Sequence, residues 1–451
     1  MGYLSDRWPN TPFIAASRKT STTHSERFGP FIDPFDPLDQ PVTSLPYNSY
    51  RLLSLFHLVV SIVNRPNRAF NLGKRTMSFD VAVVGSGILG LSHAYAAAEK
   101  GLKVLLLERN SMPNEASVRN FGFAMVLGQA PGNMLALANR SHELWGHFAQ
   151  NVGFNVFTKG SLLFARNKLE ASLLESFYEG PGQSQPYGCS LLTASEINKL
   201  YDGRFSRYQR ALHGAKERVV YSREAIPALA KWVGSHPNIT FKTNTLVYDI
   251  DETQATLRTT QGEFHADHVF VCSGHDYQTL FSKEIAPLNP IVCRLQMLRV
   301  RPTQAFNLEH GVFTGLSCLH YDAFADLPEI APLQQLVNEE TPLLEKYKIH
   351  LLMTPTPYGD IIIGDSHDYH TEAIQPFASS EIDDLILNLA QETLGQKVDV
   401  VERWQGFYGS KGAEPISILK PSPKVTIVLM RTGLGMSVGP ALGEQNVNAL
   451  L

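Results

Sequence analysis

The segment Gly85-Ser86-Gly87-Ile88-Leu89-Gly90 constrains this chain more than any other stretch, because it follows a short apolar run (79–84) directly and opens a helix-like stretch (91–100). A second apolar run (103–107) ends at Glu108, 23 positions beyond Gly85, completing a strand–helix–strand unit. In such a unit each glycine has a separate task. Gly85 permits a tight turn, Gly87 leaves room for a pyrophosphate to approach the backbone, and Gly90 lets the helix pack closely on the sheet. Amides at the helix start then face the anion. Glu108 stands where a carboxylate accepts hydrogen bonds from an adenosine ribose and repels a ribose phosphate, so NADP is disfavoured. A glycine turn that only packs a helix on a sheet needs no acid in that register, and the combination therefore favours dinucleotide binding. Gly101 falls where a left-handed helix cap is expected.

With 451 residues, the chain exceeds the size at which one core usually keeps growing, so two lobes are expected. A balance of 39 basic against 43 acidic residues excludes a global field that would draw in nucleic acid, and a small-molecule partner fits better. The four cysteines, Cys189, Cys272, Cys293 and Cys318, are widely spaced with no paired motif, which argues against a disulfide framework and a zinc site. No metal is expected, and a reducing, cytoplasmic setting is the default. Residues 1–76 are rich in Pro, Ser and Thr without sustained periodicity, and the apolar run 52–63 is too short to span a bilayer. That segment reads as a disordered or organelle-targeting extension, with Met77 as an alternative start.

Beyond the opening unit, helical spacing recurs at 135–150, 169–179, 194–200, 223–233 and 382–394. Strand-like runs occupy 239–242, 246–250, 255–259, 268–272, 296–300, 350–353 and 360–364. The end of the chain repeats the opening grammar: an apolar strand (425–430), then Thr432-Gly433-Leu434-Gly435, then a helix. Residues 77–127, 220–290 and 400–451 are assigned to a discontinuous dinucleotide lobe, and 128–219 with 291–399 to a second lobe.

The segments 85–90, Glu108-Arg109, 116–122, 269–274 and 432–436 resemble, in order and spacing, the D-amino-acid oxidase family of flavoproteins, which includes glycine and sarcosine oxidases. The resemblance covers nearly everything after Met77. It implies an α/β protein with a Rossmann-like FAD-binding domain and an interleaved α+β substrate domain carrying a mixed or antiparallel sheet. The implied cofactor is FAD, held by Gly85, Ser86, Gly87, Ile88, Leu89, Gly90, Glu108, Arg109, Ser117, Asn120, Val247, Ser273, Gly274, Gly433, Leu434, Gly435 and Met436. Some relatives attach FAD through a cysteine near 404–408, where this chain has none, so noncovalent binding is expected.

Segments 364–369, 293–297 and 403–408 are similar to a branch of that family associated with aminophosphonate breakdown. The resemblance implies oxidation of a small amine with an anionic tail by hydride transfer to flavin, with dioxygen reduced to peroxide. An amine dehydrogenase and a non-catalytic flavin-binding protein are the alternatives. Amino-acid-oxidising members clamp the carboxylate with an arginine in the strand that here reads Gln405-Gly406-Phe407-Tyr408. Tyr408 stands near that position, so the anion must be held from elsewhere. His367, between two aspartates, is the leading candidate, with a hydrogen-bonded surface histidine as the competing reading. His320, Tyr321, Lys411, Arg431, Arg119 and Arg294 are further candidates. His367, Tyr408 and Arg431 form the expected catalytic set.

Overall fold

The computed structural model describes residues 78–410, 412 and 414–451. The expectations for 1–76, Met77 and Lys411 fall outside the described residues.

The opening unit folds as its pattern dictates. Strand Ser78–Val84 pairs in parallel with Val104–Leu107 on one side and with Gly262–Val271 on the other. Ile239–Lys242 extends the sheet beyond Val104–Leu107, and Val425–Met430 joins Gly262–Val271, both in parallel. Every residue of Val104–Leu107 and Val425–Met430 is buried, which explains their apolar character, broken only by Thr426: a strand covered on both faces has no solvent side. Antiparallel neighbours finish the edges, Ile416–Ser422 on Val425–Met430 and the Val247–Asp251, Thr256–Thr259 pair against the start of Gly262–Val271.

Helix Ile88–Glu99 lies between this sheet and the C-terminal helix Gly435–Asn448, and ten of its twelve residues are buried. Burial all round removes the polar stripe of a surface helix, so the segment reads as evenly apolar. The two helices meet at Gly443, where a Cβ would stand 2.6 Å from the Ser92 carbonyl carbon and 2.7 Å from the His93 nitrogen. Helix Asn133–Val152 packs on the other side of Gly435–Asn448, and the buried Trp145 indole donates to the Met436 carbonyl at 2.8 Å.

A second, nine-stranded mixed sheet runs in the order Asp368–His370, Ile291–Pro302, Ile361–Gly364, Leu352–Pro355, Gly311–Thr314, Ser161–Phe164, Arg210–Gly214, Cys189–Thr193. Only the Gly311–Thr314 and Ser161–Phe164 pairing is parallel within it. The ninth strand, Val398–Ser410, pairs antiparallel with Ile291–Pro302 along that strand's whole length. A lobe boundary at 400 therefore cuts through a strand of the second sheet, and the crossing back to the first sheet lies after Ser410. Phe123–Ala124, Arg218–Val220 and Val156–Phe157 form a small separate sheet.

Helices Ile330–Glu340 and Pro342–Lys346 have no counterpart in the sequence reading, because only Leu333 and Val337 of the first and Leu344 of the second are buried. Such a narrow contact leaves no apolar stripe to detect. Among the described residues no helix is long and apolar enough to cross a membrane.

Replacing Gly443 by Ala is expected to lower unfolding free energy by about 1–3 kcal/mol through overpacking against a neighbouring backbone. Urea unfolding measures it, and a loss below about 0.5 kcal/mol would show that the two helices yield easily.

Candidate functional site

Gly85 adopts φ +96°, and a Cβ there would stand 2.5 Å from the Cys272 carbonyl oxygen, so strand Gly262–Val271 and the turn can approach only through glycine. At Gly90 a Cβ would overlap the Gly85 carbonyl, which fixes the helix tightly onto its own turn. Glu108 is buried and already engaged. One carboxylate oxygen accepts from the Ser86 amide (3.0 Å) and hydroxyl (2.7 Å), and the other accepts from the Asn110 amide (2.9 Å). Helix Ile88–Glu99 has Gly87 as its N-cap and no side-chain cap. The Ile88 amide donates to Ser117 Oγ at 2.9 Å, while the mouth of the helix stays open to an anion.

A cavity of about 120 Å³ runs beside this turn, lined by Gly85, Ser86, Glu108, Arg109, Thr245, Val247, Ser273 and Gly274 among others. A larger one of about 220 Å³ adjoins it, and Gly87, Ala116, Ser117, Cys272, Gly274 and His275 line both. The two form one cleft that passes the helix mouth. Its far part is walled by Asn120, Met125, Leu295, Tyr408 and the turn Gly433 to Met436 that starts helix Gly435–Asn448. The positive end of that helix favours negative charge in the cavity. Gly433 keeps the turn close to Tyr408, whose ring would lie 3.4 Å from a Cβ at that position. Arg109 is bound to Asp276 at 2.9 Å beside the first cavity.

The larger cavity is also lined by His320, His350, Asp365 and His367, which stand at the ends of strands of the second sheet. His367 donates from Nδ1 to the Lys348 carbonyl at 2.9 Å, and His350 Nδ1 shares a hydrogen bond with Ser317 Oγ at 2.9 Å. Asp365 lies between them, 3.7 Å from His350 Nε2 and 3.6 Å from His367 Nε2. Burial, then the neighbouring imidazoles, hold His320 and His350 well below the ordinary histidine range. Burial pushes the Asp365 carboxyl up to about 7 and the Tyr408 phenol well above its usual range. Lys348 and Leu351 both take positive φ on either side of His350, a conformation non-glycine residues hold only where the surroundings enforce it.

The residues named from sequence are not all gathered here. Gly85 to Leu89, Glu108, Arg109, Ser117, Asn120, Val247, Ser273, Gly274 and Gly433 to Met436 line the cleft; Gly90 stands behind it. His367 is buried in the cavity wall, which excludes the surface alternative, and His320, Tyr321 and Arg119 line the same cavity. Arg431 is a correction: its guanidinium is buried away from the cavity lining and donates to the Leu288 carbonyl at 2.7 Å. A buried cation satisfied by a backbone oxygen ties the strand end to the 286–288 turn instead. Arg294 is likewise committed, to Asp368 at 2.5 Å and to the Gln375 and Phe377 carbonyls. His350 was legible only as the start of a strand, and Asp365 only as a neighbour of His367.

A family profile described as DAO: FAD dependent oxidoreductase matches residues 80–447. Monomeric sarcosine oxidase of Bacillus sp. (strain B-0618) is 28% identical over 212 residues, which is 46% of this chain and 53% of that protein. The chain thus spans about half the length of that curated relative. Glycine oxidase from Geobacillus kaustophilus superposes with a TM-score of 0.64 at 19% identity, covering 83% of this chain and 95% of that one. L-proline dehydrogenase from P. horikoshii gives 0.66 at 16%, covering 83% and 94%.

Replacing Glu108 by Ala is expected to weaken FAD binding by about 10- to 150-fold, the worth of a charge-assisted hydrogen bond of about 1.5–3 kcal/mol. Titration of apoprotein by flavin fluorescence quenching measures this, and unchanged affinity would remove Glu108 from the cofactor site.

Proposed function

We propose that this chain, which belongs to the DAO family of FAD-dependent oxidoreductases, oxidises the C–N bond of a small amine bearing an anionic tail. The observation that carries the proposal is the continuous cleft. One part offers a glycine-lined helix mouth and Glu108, and the other ends in a wall of polar side chains. FAD, held noncovalently, supplies the acceptor for a hydride from the carbon that carries the amine.

The fit rests on features of this chain. Glu108 is fixed by Ser86 and Asn110 before any ligand arrives, so little ordering is lost on binding. Ser117 holds the first-turn amide of Ile88 and so sets the helix mouth. The turn Gly433 to Met436 approaches the cavity through backbone, where amides and a helix start stabilise negative charge that develops during reduction. Cys272 lines the cavity, and burial raises its thiol far above the ordinary range, so it takes no nucleophilic part.

No strong side-chain base is required of the protein, whose task is to orient the amine and exclude water. His367, His320, Tyr408 and Arg119 all line the cavity. His367 is the proposed principal contact for the tail, with Tyr408 positioning the amine end. Dioxygen is the proposed electron acceptor, giving peroxide and an imine that hydrolyses to an aldehyde or keto product. Among small amines, aminophosphonates and their N-methyl relatives are the proposed class, supported by segments 293–297, 364–369 and 403–408.

Anaerobic reduction by an amine panel that pairs each carboxylate with its phosphonate analogue tests this reading. Phosphonates are expected to bleach the flavin, and air to restore it with peroxide release. Preference for carboxylates would overturn the substrate class, and slow recovery in air with fast recovery by an artificial dye would reassign the enzyme as a dehydrogenase.

The H367A variant is expected to raise KM for the anionic amine about 10- to 150-fold while leaving an uncharged amine nearly unaffected. Unchanged steady-state kinetics would remove His367 from the site.

A further inference from the structure

His320, His350, His367 and Asp365 come from three separate places in the chain, and sheet register brings them together. Leu352 pairs with Gly364 across antiparallel strands, so His350 and the Asp365 to His367 segment leave the sheet at the same end. Val312 pairs with Met353, which places the turn Gly315–Leu319, and His320 after it, beside that end. One ligand-type nitrogen from each histidine lies within 4.8 Å of the others.

Two atoms of this group are buried without any hydrogen-bond partner: His350 Nε2 and Asp365 Oδ1, 3.7 Å apart. That spacing is too long for a direct hydrogen bond and leaves two polar groups desolvated at a cost of about 1–3 kcal/mol each. A ligand held between the two atoms would remove that cost. Both remaining ring contacts support the same reading. His367 spends Nδ1 on the Lys348 carbonyl and turns Nε2 toward Asp365 Oδ2 at 3.6 Å. The Ser317 hydroxyl lies 3.4 Å from the His350 carbonyl, so donation there leaves Oγ to accept the Nδ1 proton at 2.9 Å and directs the Nε2 lone pair at Asp365. A backbone carbonyl or hydroxyl on the far nitrogen is how proteins orient metal-binding imidazoles.

We propose that these four side chains bind one divalent first-row transition-metal ion, with His350, His367 and Asp365 as its principal ligands and His320 completing the set. Three imidazoles and one carboxylate suit zinc, cobalt, nickel or iron(II) and not calcium or magnesium. Bonds of about 2.1 Å at tetrahedral angles separate ligand atoms by about 3.4 Å, close to the 3.7 Å from His350 Nε2 to Asp365 Oδ1 and the 3.6 Å from His367 Nε2 to Asp365 Oδ2, so the carboxylate faces the two imidazoles with different oxygens and turns to offer one of them to the ion. His320 stacks on His350 with ring centroids 4.3 Å apart and planes 24° apart, so its coordination requires the His320 ring to rotate out of the stack. An ion in this place faces the cavity and receives the anionic substrate tail, so that His367 holds the tail through the ion and Asp365 does not repel it. That last consequence rests on the proposed function, whereas ion binding itself does not.

The test uses FAD-loaded protein with any affinity tag removed, stripped by chelator and titrated with Co(II) and with Zn(II) by calorimetry, with elemental analysis after desalting. The expected result is one ion per chain, with affinity lowered at least about 10-fold in D365N and H350Q. H236Q, altered at a histidine that pairs with Glu99 elsewhere, is expected to bind like the parent. Flavin absorbance and near-ultraviolet circular dichroism establish that each variant is folded, and isosteric D365N serves where H350Q fails that check. Folded, FAD-loaded parent protein that takes up no ion would overturn the proposal. So would uptake unchanged in D365N, or lost equally in H236Q. Failure of the amine panel with metal uptake intact would strike the proposed function alone.

Discussion

The Glu108 carboxylate ties the glycine turn to the segment after the second strand, and the rest of the cleft is arranged around that junction. It receives Ser86 from the glycine turn and Asn110 from the end of the second strand, so turn and strand are locked to each other by charge-assisted bonds in a buried setting. Gly85 and Gly90 allow the same turn to be pressed against strand Gly262–Val271 and against its own helix, and Gly443 lets the C-terminal helix close over the opposite face. A site assembled by backbone contact in this way is rigid before its ligand binds, which is what a positioning enzyme requires.

From that fixed end the cleft changes character. Gly87, Ile88 and Leu89 present main chain, Met125, Leu295 and Met436 present apolar surface, and the far wall presents imidazoles, a carboxylate and the Tyr408 phenol. The second sheet supplies most of that wall. Ile291–Pro302 pairs with both Ile361–Gly364 and Val398–Ser410, so Leu295, Asp365 and Tyr408 are held by a single set of hydrogen-bonded strands. Tyr408 stands within a strand, while His320, His350, Asp365 and His367 sit on connections anchored at strand ends, where desolvation strengthens every electrostatic contact they make.

The dinucleotide end was legible because its information is local. Strand, glycines, helix and acid are contiguous, each with a period or conformational demand that shows in the residues themselves. The terminal turn at Gly433 was readable for the same reason. The polar wall was legible only in part: His320, His367 and Tyr408 stand out as candidates, but His350 and Asp365 join them only through the register of strands Leu352–Pro355, Ile361–Gly364 and Gly311–Thr314, and register leaves no mark in one sequence. Arg431 was misassigned because a cation next to a glycine turn looks available until the carbonyl of Leu288, far earlier in the chain, is seen to accept its hydrogen bond. The boundary placed at 400 failed because Val398–Ser410 begins with Val and Asp in alternation, a pattern equally suited to either sheet.

The account stands on the glycine turn and Glu108 holding the dinucleotide while the reactive ring lies beside Gly433 to Met436. A crystal structure of the protein grown with FAD tests it most directly. The expected density places the diphosphate against the amides of Gly87 to Leu89, a ribose at Glu108 and the ring system in the larger cavity. A diphosphate bound elsewhere, or a ring system outside that cavity, would contradict it.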